Sequence, residues 1–250
     1  MKAVRVKIEQ ETANYKIPVA FSLRESYPLP PYSTVIGMIH NLCNFEEYKK
    51  MKLSICGRHY SKFYDMFTRY EFSPENRFEE KRHQLIVNGY GITKGIGTTE
   101  VLVNVELIIH IVPEDDTLLS VIETALKFPK EYPSLGRRED LAIIREVKIV
   151  DIEKVMLEKS LRLKDELKNY SYYIPTNYVN AIKFRNKLEE YSIVGTYYDL
   201  NKNYILEKFG KNKFYRKWKK VKVLYSSNIL SLLKGYEFLI DQDENPVFLV

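Results

Sequence analysis

Two short motifs, about 100 residues apart, carry the residue types that hold a phosphate group. In the first, residues 27–40, a Pro-Pro-Tyr-Ser-Thr segment opens a helical pattern, so free backbone N–H groups lie beside the hydroxyls of Ser33 and Thr34. In the second, residues 132–140, a Gly-Arg-Arg turn permits close backbone approach and offers two guanidinium groups. Neither motif contains a catalytic constellation, so the chemistry they indicate is binding of an RNA backbone.

Each motif also has an ordinary structural interpretation. The first is also the pattern of an ordinary capped helix that binds nothing, which is the commoner case, with Ser33 or Thr34 as the N-cap. The second is equally compatible with a surface turn whose two arginines pair with Glu139 and Asp140. The sequence leaves both alternatives open.

An inserted basic segment, residues 73–99, lies between the two motifs. It is polar and contains four glycines, which predicts a hairpin able to contact RNA or a neighbouring protein. Glu75 and its acidic neighbours partly cancel the charge, so a solvated loop is the alternative. The cations and the histidine that the hairpin would present are Lys81, Arg82, His83 and Lys94.

A second basic segment, near the C-terminus, has the densest charge in the chain. Its cations alternate with Phe214, Tyr215 and Trp218, and this combination is typical of proteins that bind single-stranded nucleic acid. A solvated strand face with a few apolar anchors is the alternative. The cations are Lys211, Lys213, Arg216, Lys217, Lys219, Lys220 and Lys222.

Composition narrows the class of protein without deciding it. The formal charge of +6 is mildly basic, which is compatible with an anionic partner. Cys43 and Cys56 do not form a Cys-x-x-Cys pair, so a zinc site of the usual spacing is excluded, and no motif indicates a cofactor. No charged segment followed by an apolar run begins the chain, and no apolar run approaches the roughly 20 residues of a membrane span. We therefore expect a soluble, cytoplasmic protein.

The four histidines give little support for catalysis. None lies at metal-ligand spacing from another, and none belongs to a nucleophile motif. His110 is expected on the outer face of a strand, and His40 follows the first motif closely enough to contact RNA. His83, among basic neighbours, could serve as the base of a metal-independent ribonuclease.

The periodicity of the chain predicts the elements that position these motifs. Strands are expected at residues 3–9, 53–60, 63–72, 101–111 and 141–150, and helices are expected from Ser33 and from Pro113 to Phe128. In residues 3–9, Arg5 and Lys7 fall on the outer face. The order β-α-β-β-(insert)-β-α-β predicts an α+β, ferredoxin-like (RRM-like) domain over residues 1–150. Residues 151–250 are expected to form a small, mostly β second domain.

With both motifs in this order, the chain resembles the Cas-five family of CRISPR-associated proteins, in the RAMP superfamily, and in particular its type I-B members. The resemblance rests on residues 3–9, 27–40 and 134–140, and residues 151–250 contribute little to it. It implies a RAMP domain with an inserted thumb, here 73–99, and a glycine-rich loop, here Leu135 to Arg138. It also implies a Cascade subunit that caps the 5′ handle of the crRNA for antiviral defence. The partners would be the backbone subunits and the large subunit, with target DNA contacted only indirectly.

One departure from the family pattern argues against RNA cleavage. Type I-C members also cut precursor RNA, and their Lys-His pair lies near the start of the second helix, where this chain has the acidic run Pro113 to Asp116. We therefore expect a non-catalytic subunit, with a metal-independent endoribonuclease or a protein scaffold as the alternatives. Arg5 and Lys7 are further RNA-binding candidates. The principal candidates are Ser33, Thr34, His40, Lys81, Arg82, His83, Lys94, Gly136, Arg137 and Arg138.

Overall fold

The computed structural model describes residues 1–20, 23–185, 194–210, 213–227 and 229–250. In these residues the α-helices are α1 (Tyr32–Cys43) and α2 (Leu118–Lys127), and short 3-10 helices span Asp165–Leu167 and Thr176–Ala181. The strands are β1 (Lys2–Ala13), β2 (Met51–Arg58), β3 (Ser61–Arg77), β4 (Leu85–Val87), β5 (Tyr90–Pro113), β6 (Ile143–Met156), β7 (Leu161–Arg162), β8 (Ser171–Pro175), β9 (Ile182–Phe184), β10 (Thr196–Phe209), β11 (Lys213–Ser226), β12 (Ile229–Leu232), β13 (Glu237–Asp241) and β14 (Pro246–Val247). The described chain is therefore mostly antiparallel β-structure with few helices.

Four strands form the middle of the principal sheet, in the order β6-β1-β5-β2, and each neighbouring pair is antiparallel. The alternation of residues along β1 decides which face carries the helices. Val4, Val6 and Ile8 are buried in one apolar cluster with Val35 of α1 and Ile122 of α2. The order of helices and strands up to residue 150 matches the predicted pattern, with β4 added inside the insert.

The middle of the sheet is covered on both faces. Ile109 of β5 packs with the helices, whereas Ile108 packs with Tyr172, Leu224 and Phe248 in a second cluster. Because successive side chains of a strand point to opposite faces, this second cluster covers the face that carries no α-helix. Burial on both faces explains why apolar residues follow one another in this part of β5.

Neither helix begins where its sequence suggests: α1 begins one residue earlier, at Tyr32, and α2 begins later, at Leu118. The N-cap of α1 is Pro31, so Ser33 and Thr34 lie inside the first turn, and the prediction that one of them is the N-cap is wrong. The N-cap of α2 is Thr117, whose N–H donates to Asp115 Oδ1 at 2.9 Å. The acidic run therefore forms a turn before α2 instead of lying in the first turn of that helix.

Strands from the C-terminal part extend the same sheet at both edges. On one side, β8 pairs with β2, and β11 and β10 follow; on the other, β13 pairs with β6, and β14 follows. A separate three-stranded sheet has the order β7-β12-β9. The predicted division into residues 1–150 and 151–250 stays a prediction, and β6 itself runs through residue 150.

Two long antiparallel hairpins leave the body of the sheet. In the first, β3 pairs with β5 from Ser61↔Val103 to Phe72↔Ile92, and β4 pairs with β5 at the far end. This hairpin therefore begins well before residue 73. In the second, β10 pairs with β11 from Thr196↔Tyr225 to Phe209↔Lys213. No helix among the described residues combines the length and apolarity needed to cross a membrane.

Candidate nucleic-acid interface

The turn at Gly136 is built around the buried carboxylate of Asp140. Asp140 Oδ2 accepts the backbone N–H of Asn14 at 2.9 Å and that of Arg137 at 2.7 Å. Gly136 has a φ of +116°, and a Cβ at this position would lie 2.7 Å from Asp140 Oδ2 and 2.9 Å from the Asn14 carbonyl oxygen. Glycine is therefore required here by backbone conformation and by space. The turn packs directly on the segment that connects β1 to α1.

The two arginines of this turn have different environments. Arg137 Nη2 donates to Asp140 Oδ1 at 2.7 Å, its Nε lies 3.1 Å from Oδ2, and its Nη1 lies 3.2 Å from Glu139. These hydrogen bonds raise the pKa of Arg137 above its ordinary value. Arg138 is exposed and forms no ion pair with any described residue. The surface-turn alternative thus describes Arg137, whereas Arg138 is open to a ligand.

Arg24 is a further cation at this end of the sheet, and no motif in the sequence points to it. Its backbone carbonyl accepts the side-chain N–H of Asn14 at 2.9 Å, so the segment before α1 is tied to the end of β1. Its guanidinium lies 4.4 Å from the ring centre of Phe67 on the first hairpin. The Phe67 ring in turn covers Gly97 on the neighbouring strand. Arg24 therefore lies between the Gly136 turn and the base of the hairpin.

The start of α1 offers backbone donors without side-chain caps. The N–H groups of Thr34 and Val35 donate to the Pro31 carbonyl oxygen at 2.9 and 3.3 Å, and no side chain caps the helix. Ser33 and Thr34 are half-buried. Because the first N–H groups of a helix have no partner within it, those of Tyr32 and Ser33 are available to an anion.

His40 does not share the environment of Ser33 and Thr34. It lies near the C-terminal end of α1, about 10 Å along the helix axis from Ser33. Its ring stacks on Tyr48 with a centroid distance of 5.8 Å, and its Nε2 accepts the Lys49 N–H at 3.4 Å. Burial lowers the pKa of His40 below its ordinary value. This histidine therefore packs the loop that follows α1.

The predicted thumb residues are only partly accessible. Lys81, Arg82 and Lys94 are exposed and form no ion pairs with described residues. His83 is 5% exposed, and its Nδ1 accepts the Glu79 N–H at 3.0 Å. A Cβ at Gly91 would overlap the His83 ring, so Gly91 provides the space in which the ring lies. The structure thus places His83 inside the end of the hairpin. The prediction that the hairpin presents this histidine to a ligand is therefore wrong.

Arg5 and His110 belong to a buried charge cluster. Arg5 is 2% exposed; its Nη1 donates to Asp241 at 2.7 Å, and its Nη2 lies 2.6 Å from Asp243 and 3.1 Å from Glu146. His110 Nε2 lies 3.0 Å from Asp241 and is also buried. The predictions that Arg5 and His110 lie on an exposed face are therefore wrong, because β13 brings Asp241 over both residues.

Lys7 is exposed, as the alternation along β1 predicts. Its Nζ lies 3.7 Å from Glu146, the carboxylate that also accepts from Arg5. Lys7 is therefore accessible, but it shares its carboxylate with a buried arginine.

The first hairpin carries an apolar stripe on one face. Directly opposed residues share a face, so Thr68↔Ile96 and Phe72↔Ile92 place these side chains with the even-numbered residues of β3. Ile96 is 79% exposed. A solvent-exposed stripe of this kind indicates a surface that contacts another molecule. Its large exposed side chains are Tyr64, Met66, Tyr70, Phe72 and Ile96.

The C-terminal basic run lies on β11, in the second hairpin. Within the described residues, its six cations are distributed over both faces of the strand, and Trp218 is half-exposed between them. Lys217 pairs with Glu207 on the opposing strand at 2.7 Å. Lys211, the first cation of the predicted run, lies outside the described residues. The sequence identified the basic and aromatic composition, and the structure adds that both strands of the hairpin are exposed.

A cavity of about 420 Å³ at the base of the second hairpin was not predicted. It is lined by Lys50 and Lys52 from β2 and its preceding loop, and by Lys202 and Lys219 from β10 and β11. Burial, followed by the charges of Lys219 and Lys52, lowers the pKa of Lys202. No sequence signal joins these lysines, since the two pairs are about 150 residues apart. Among the described residues, no group of three His, Cys, Asp or Glu side chains could hold a metal ion.

No protein-family model matches the chain, and no curated protein matches it. Among solved structures, a chain of a CRISPR RNA-guided surveillance complex matches with a TM-score of 0.52 at 13% identity, over 92% of this chain and 91% of that chain. A CRISPR protein from Archaeoglobus fulgidus matches with a TM-score of 0.47 at 12% identity, over 100% and 98% of the two chains. A chain of a type III-B Cmr-beta complex bound to cognate target RNA has a TM-score of 0.42 at 11% identity, over 91% and 86%. At this level of identity, the first of these matches shows a shared fold.

Proposed function

We propose that the protein is a cytoplasmic, non-catalytic subunit of a type I CRISPR interference complex that binds and caps the 5′ handle of the crRNA. The observation that carries the proposal is the fold shared, over nearly the whole chain, with a chain of an RNA-guided surveillance complex. A shared fold alone does not assign a function. The residues of the two motifs and the cations around them supply the rest of the argument.

We propose a ferredoxin-like RAMP domain of type I-B character as the core of this subunit. The sheet order β6-β1-β5-β2, with α1 and α2 packed on one face, supports this assignment because it is the order that a split βαβ unit produces. The β3–β5 hairpin would be the thumb, and Leu135 to Arg138 would be the glycine-rich loop.

The handle would lie along the end of the sheet where the Gly136 turn meets the segment before α1. Arg138 and Arg24 have no carboxylate partner among the described residues, so they can pair with phosphates without breaking an existing ion pair. The first N–H groups of α1 are additional donors. From the hairpin, Lys81, Arg82 and Lys94 would add further phosphate contacts.

Two observations support binding without cleavage. The His83 ring is enclosed by the hairpin and held against the Glu79 N–H, so it cannot reach a ribose hydroxyl without local opening. The His40 ring is stacked on Tyr48 and receives the Lys49 N–H. Neither histidine is therefore placed as a base toward an exposed RNA path.

The apolar stripe on the first hairpin would contact a protein partner. Its exposed tyrosines, phenylalanine and methionine are residue types enriched at the centre of protein interfaces. We propose that the backbone subunits or the large subunit cover this stripe in the assembled complex.

The test is incubation of the purified protein with labelled repeat RNA in EDTA, followed by native and denaturing gels of the same samples. We expect a shifted but intact RNA. A discrete cleavage product would replace this proposal with a metal-independent endoribonuclease. The absence of a shift at low salt would contradict direct RNA binding and leave a protein scaffold.

Arg138→Ala gives a residue-level version of this test. Removal of one phosphate contact should lower the slope of log affinity against log salt by about 0.7 for a single-stranded handle. Arg162→Ala, which removes an exposed arginine from the three-stranded sheet, is the matched control and should leave the slope unchanged. Equal slopes for Arg138→Ala and the wild-type protein would exclude Arg138 from the RNA contact.

A further inference from the structure

The distal part of the second hairpin, residues 203–209 paired with 213–219, is termed the basic ribbon. Residues 196–226, which contain it, include nine lysines and arginines but two acids, a net charge of +7 compared with +6 for the whole chain. The rest of the protein is therefore almost neutral, and its positive charge is concentrated on this hairpin. Concentration of charge on one element is the footprint of a polyanionic partner.

The register of the ribbon brings aromatic residues and cations onto one face. Tyr204 is opposite Trp218, Leu206 is opposite Arg216, and Lys208 is opposite Phe214. Opposed residues share a face, and side chains alternate along each strand. One face, here called the aromatic face, therefore carries Tyr204, Leu206, Lys208, Phe214, Arg216 and Trp218, followed by Lys220 and Lys222 toward the body.

The aromatic side chains on this face are pre-arranged. The Tyr204 and Trp218 rings have centroids 5.1 Å apart at an angle of 65°, and the Arg216 guanidinium lies 4.6 Å from the Tyr204 ring centre. Lys222 lies 5.5 Å from the Tyr197 ring centre. Trp218 is nevertheless 36% exposed, and Phe214 is 64% exposed. An open ring surface therefore lies beside each cation.

The opposite face of the ribbon differs in one respect that matters for binding. There, Glu207 forms an ion pair with Lys217 and accepts a hydrogen bond from Tyr215. On the aromatic face, Arg216 and Lys220 form no ion pair with any described residue. Lys213 and Lys219 on the opposite face likewise form no ion pair with a described residue, but within the ribbon the aromatic face is the one that combines such cations with Tyr204 and Trp218 and carries no acid.

A two-stranded ribbon exposed on both faces is only marginally stable in water, which indicates that a partner covers it. A protein partner is a poor match, because protein interfaces are depleted in lysine and the ribbon is rich in it. Stacking surfaces interleaved with unpaired cations match single-stranded nucleic acid, whose bases stack while its phosphates pair.

We propose that the aromatic face of the basic ribbon binds single-stranded nucleic acid, with bases stacked on Trp218 and Tyr204 and phosphates on Arg216 and Lys220. Seven residue pairs extend from Asn203↔Lys219 to Phe209↔Lys213, a length of about 24 Å. At one phosphate per roughly 3.4 Å of stacked strand, this covers about seven nucleotides. The inference rests on the proposed function and gives its RNA a second contact, separate from the Gly136 turn.

The test uses the fact that Trp218 is the single tryptophan of the chain. Labelled single-stranded RNA or DNA is titrated with the full protein, and label anisotropy and tryptophan emission are read in the same samples. We expect emission to fall in parallel with the rise in anisotropy. Trp218→Ala and Tyr204→Ala should each weaken binding by about 5- to 150-fold, as expected for the loss of one stacked base.

Variants on the same ribbon provide the controls. Trp218→Phe retains an aromatic ring and should restore most of the affinity while losing the emission signal. Tyr215→Ala removes an aromatic residue of similar exposure from the opposite face and should leave affinity unchanged. Circular dichroism of each variant verifies that the sheet is intact. Parallel titrations with single-stranded RNA and single-stranded DNA decide which nucleic acid the ribbon prefers.

The outcomes separate this inference from the proposed function. If RNA binds with unchanged tryptophan emission and Tyr204→Ala has wild-type affinity, the ribbon is not a nucleic-acid contact, and handle binding stands. If emission falls equally with every single strand but the handle is not preferred, the ribbon inference stands and handle binding falls. If polyphosphate or anionic vesicles change the emission as strongly as RNA does, the stacking proposal is overturned.

Discussion

Replacement of Arg137 by alanine should destabilise the protein, although this arginine belongs to a motif that resembles a phosphate-binding loop. Its guanidinium makes paired hydrogen bonds to Asp140, a carboxylate with no solvent exposure, and a longer contact to Glu139. Arg138→Ala is the matched control, because Arg138 is exposed and forms no ion pair with a described residue. The two variants remove the same side chain from adjacent positions.

The magnitude follows from what Asp140 retains. In Arg137→Ala the carboxylate still accepts the backbone N–H groups of Asn14 and residue 137, so it does not become an unpaired buried charge. We therefore expect the loss of a charge-assisted hydrogen-bond pair, about 1.5–3 kcal/mol of unfolding free energy, and not the 3–5 kcal/mol of a broken buried ion pair. For a protein of this size, this corresponds to a melting temperature lower by about 3–12 °C.

Thermal unfolding by circular dichroism measures both variants under identical conditions, and RNA affinity is measured well below the melting transition. Arg138→Ala should melt within about 2 °C of the wild-type protein but bind RNA more weakly. The reasoning would be refuted if Arg137→Ala melted with the wild-type protein and Arg138→Ala were the destabilised variant. It would also be refuted if Arg137→Ala lost RNA affinity without any loss of stability, because the guanidinium would then serve the ligand and not the turn.

Three further predictions concern the buried charge cluster and the hairpin. Asp241→Ala removes the carboxylate that Arg5 and His110 share, but Arg5 keeps Asp243 at 2.6 Å and Glu146 at 3.1 Å. Since Arg5 is not left unpaired, urea denaturation should show the loss of a charge-assisted hydrogen bond, about 1.5–3 kcal/mol. Stability should also fall with acidification. Burial lowers the pKa of His110, so below about pH 6.5 the unfolded chain binds a proton that the folded protein does not. Burial alone would raise the pKa of Asp241, but hydrogen bonds from His110, Asn245 and Arg5 hold it well below its ordinary value, so its contribution is lost only below about pH 4. Melting temperatures that do not decrease from pH 8 to pH 4 would contradict the His110 assignment, and melting temperatures that do not decrease further below about pH 4 would contradict the Asp241 assignment. Gly91→Ala should force His83 out of the hairpin, detected by NMR as a change in the chemical shifts of the His83 ring, whereas Gly95→Ala, with open space at its Cβ position, should not.

The local sequence pattern was sufficient to predict the strands and helices and to identify which segments are basic and aromatic. Alternation in residues 3–9 places Val4 and Val6 in the core, and helical spacing places Val35 and Ile39 there, because both periods are properties of the backbone itself. The basic and aromatic composition of β11 is visible in the sequence because these residues are neighbours along the chain. The Gly-Arg-Arg segment is visible as a turn, since its residue types restrict the local backbone.

Only the tertiary structure decided which of the predicted residues are free to bind. Arg5 and His110 alternate like exposed residues, yet Asp241, 236 positions after Arg5, covers both once β13 pairs with β6. The sequence does not distinguish Arg137 from Arg138. In the structure, Asp140 lies against Asn14 and accepts hydrogen bonds from Arg137, whereas Arg138 forms no ion pair with a described residue. The pairing of β10 with β11 determines that Tyr204, Trp218 and Arg216 share a face. The sequence by itself therefore determined the elements and their chemistry, because these depend on neighbours along the chain, whereas partners and exposure depend on strands that meet only after folding.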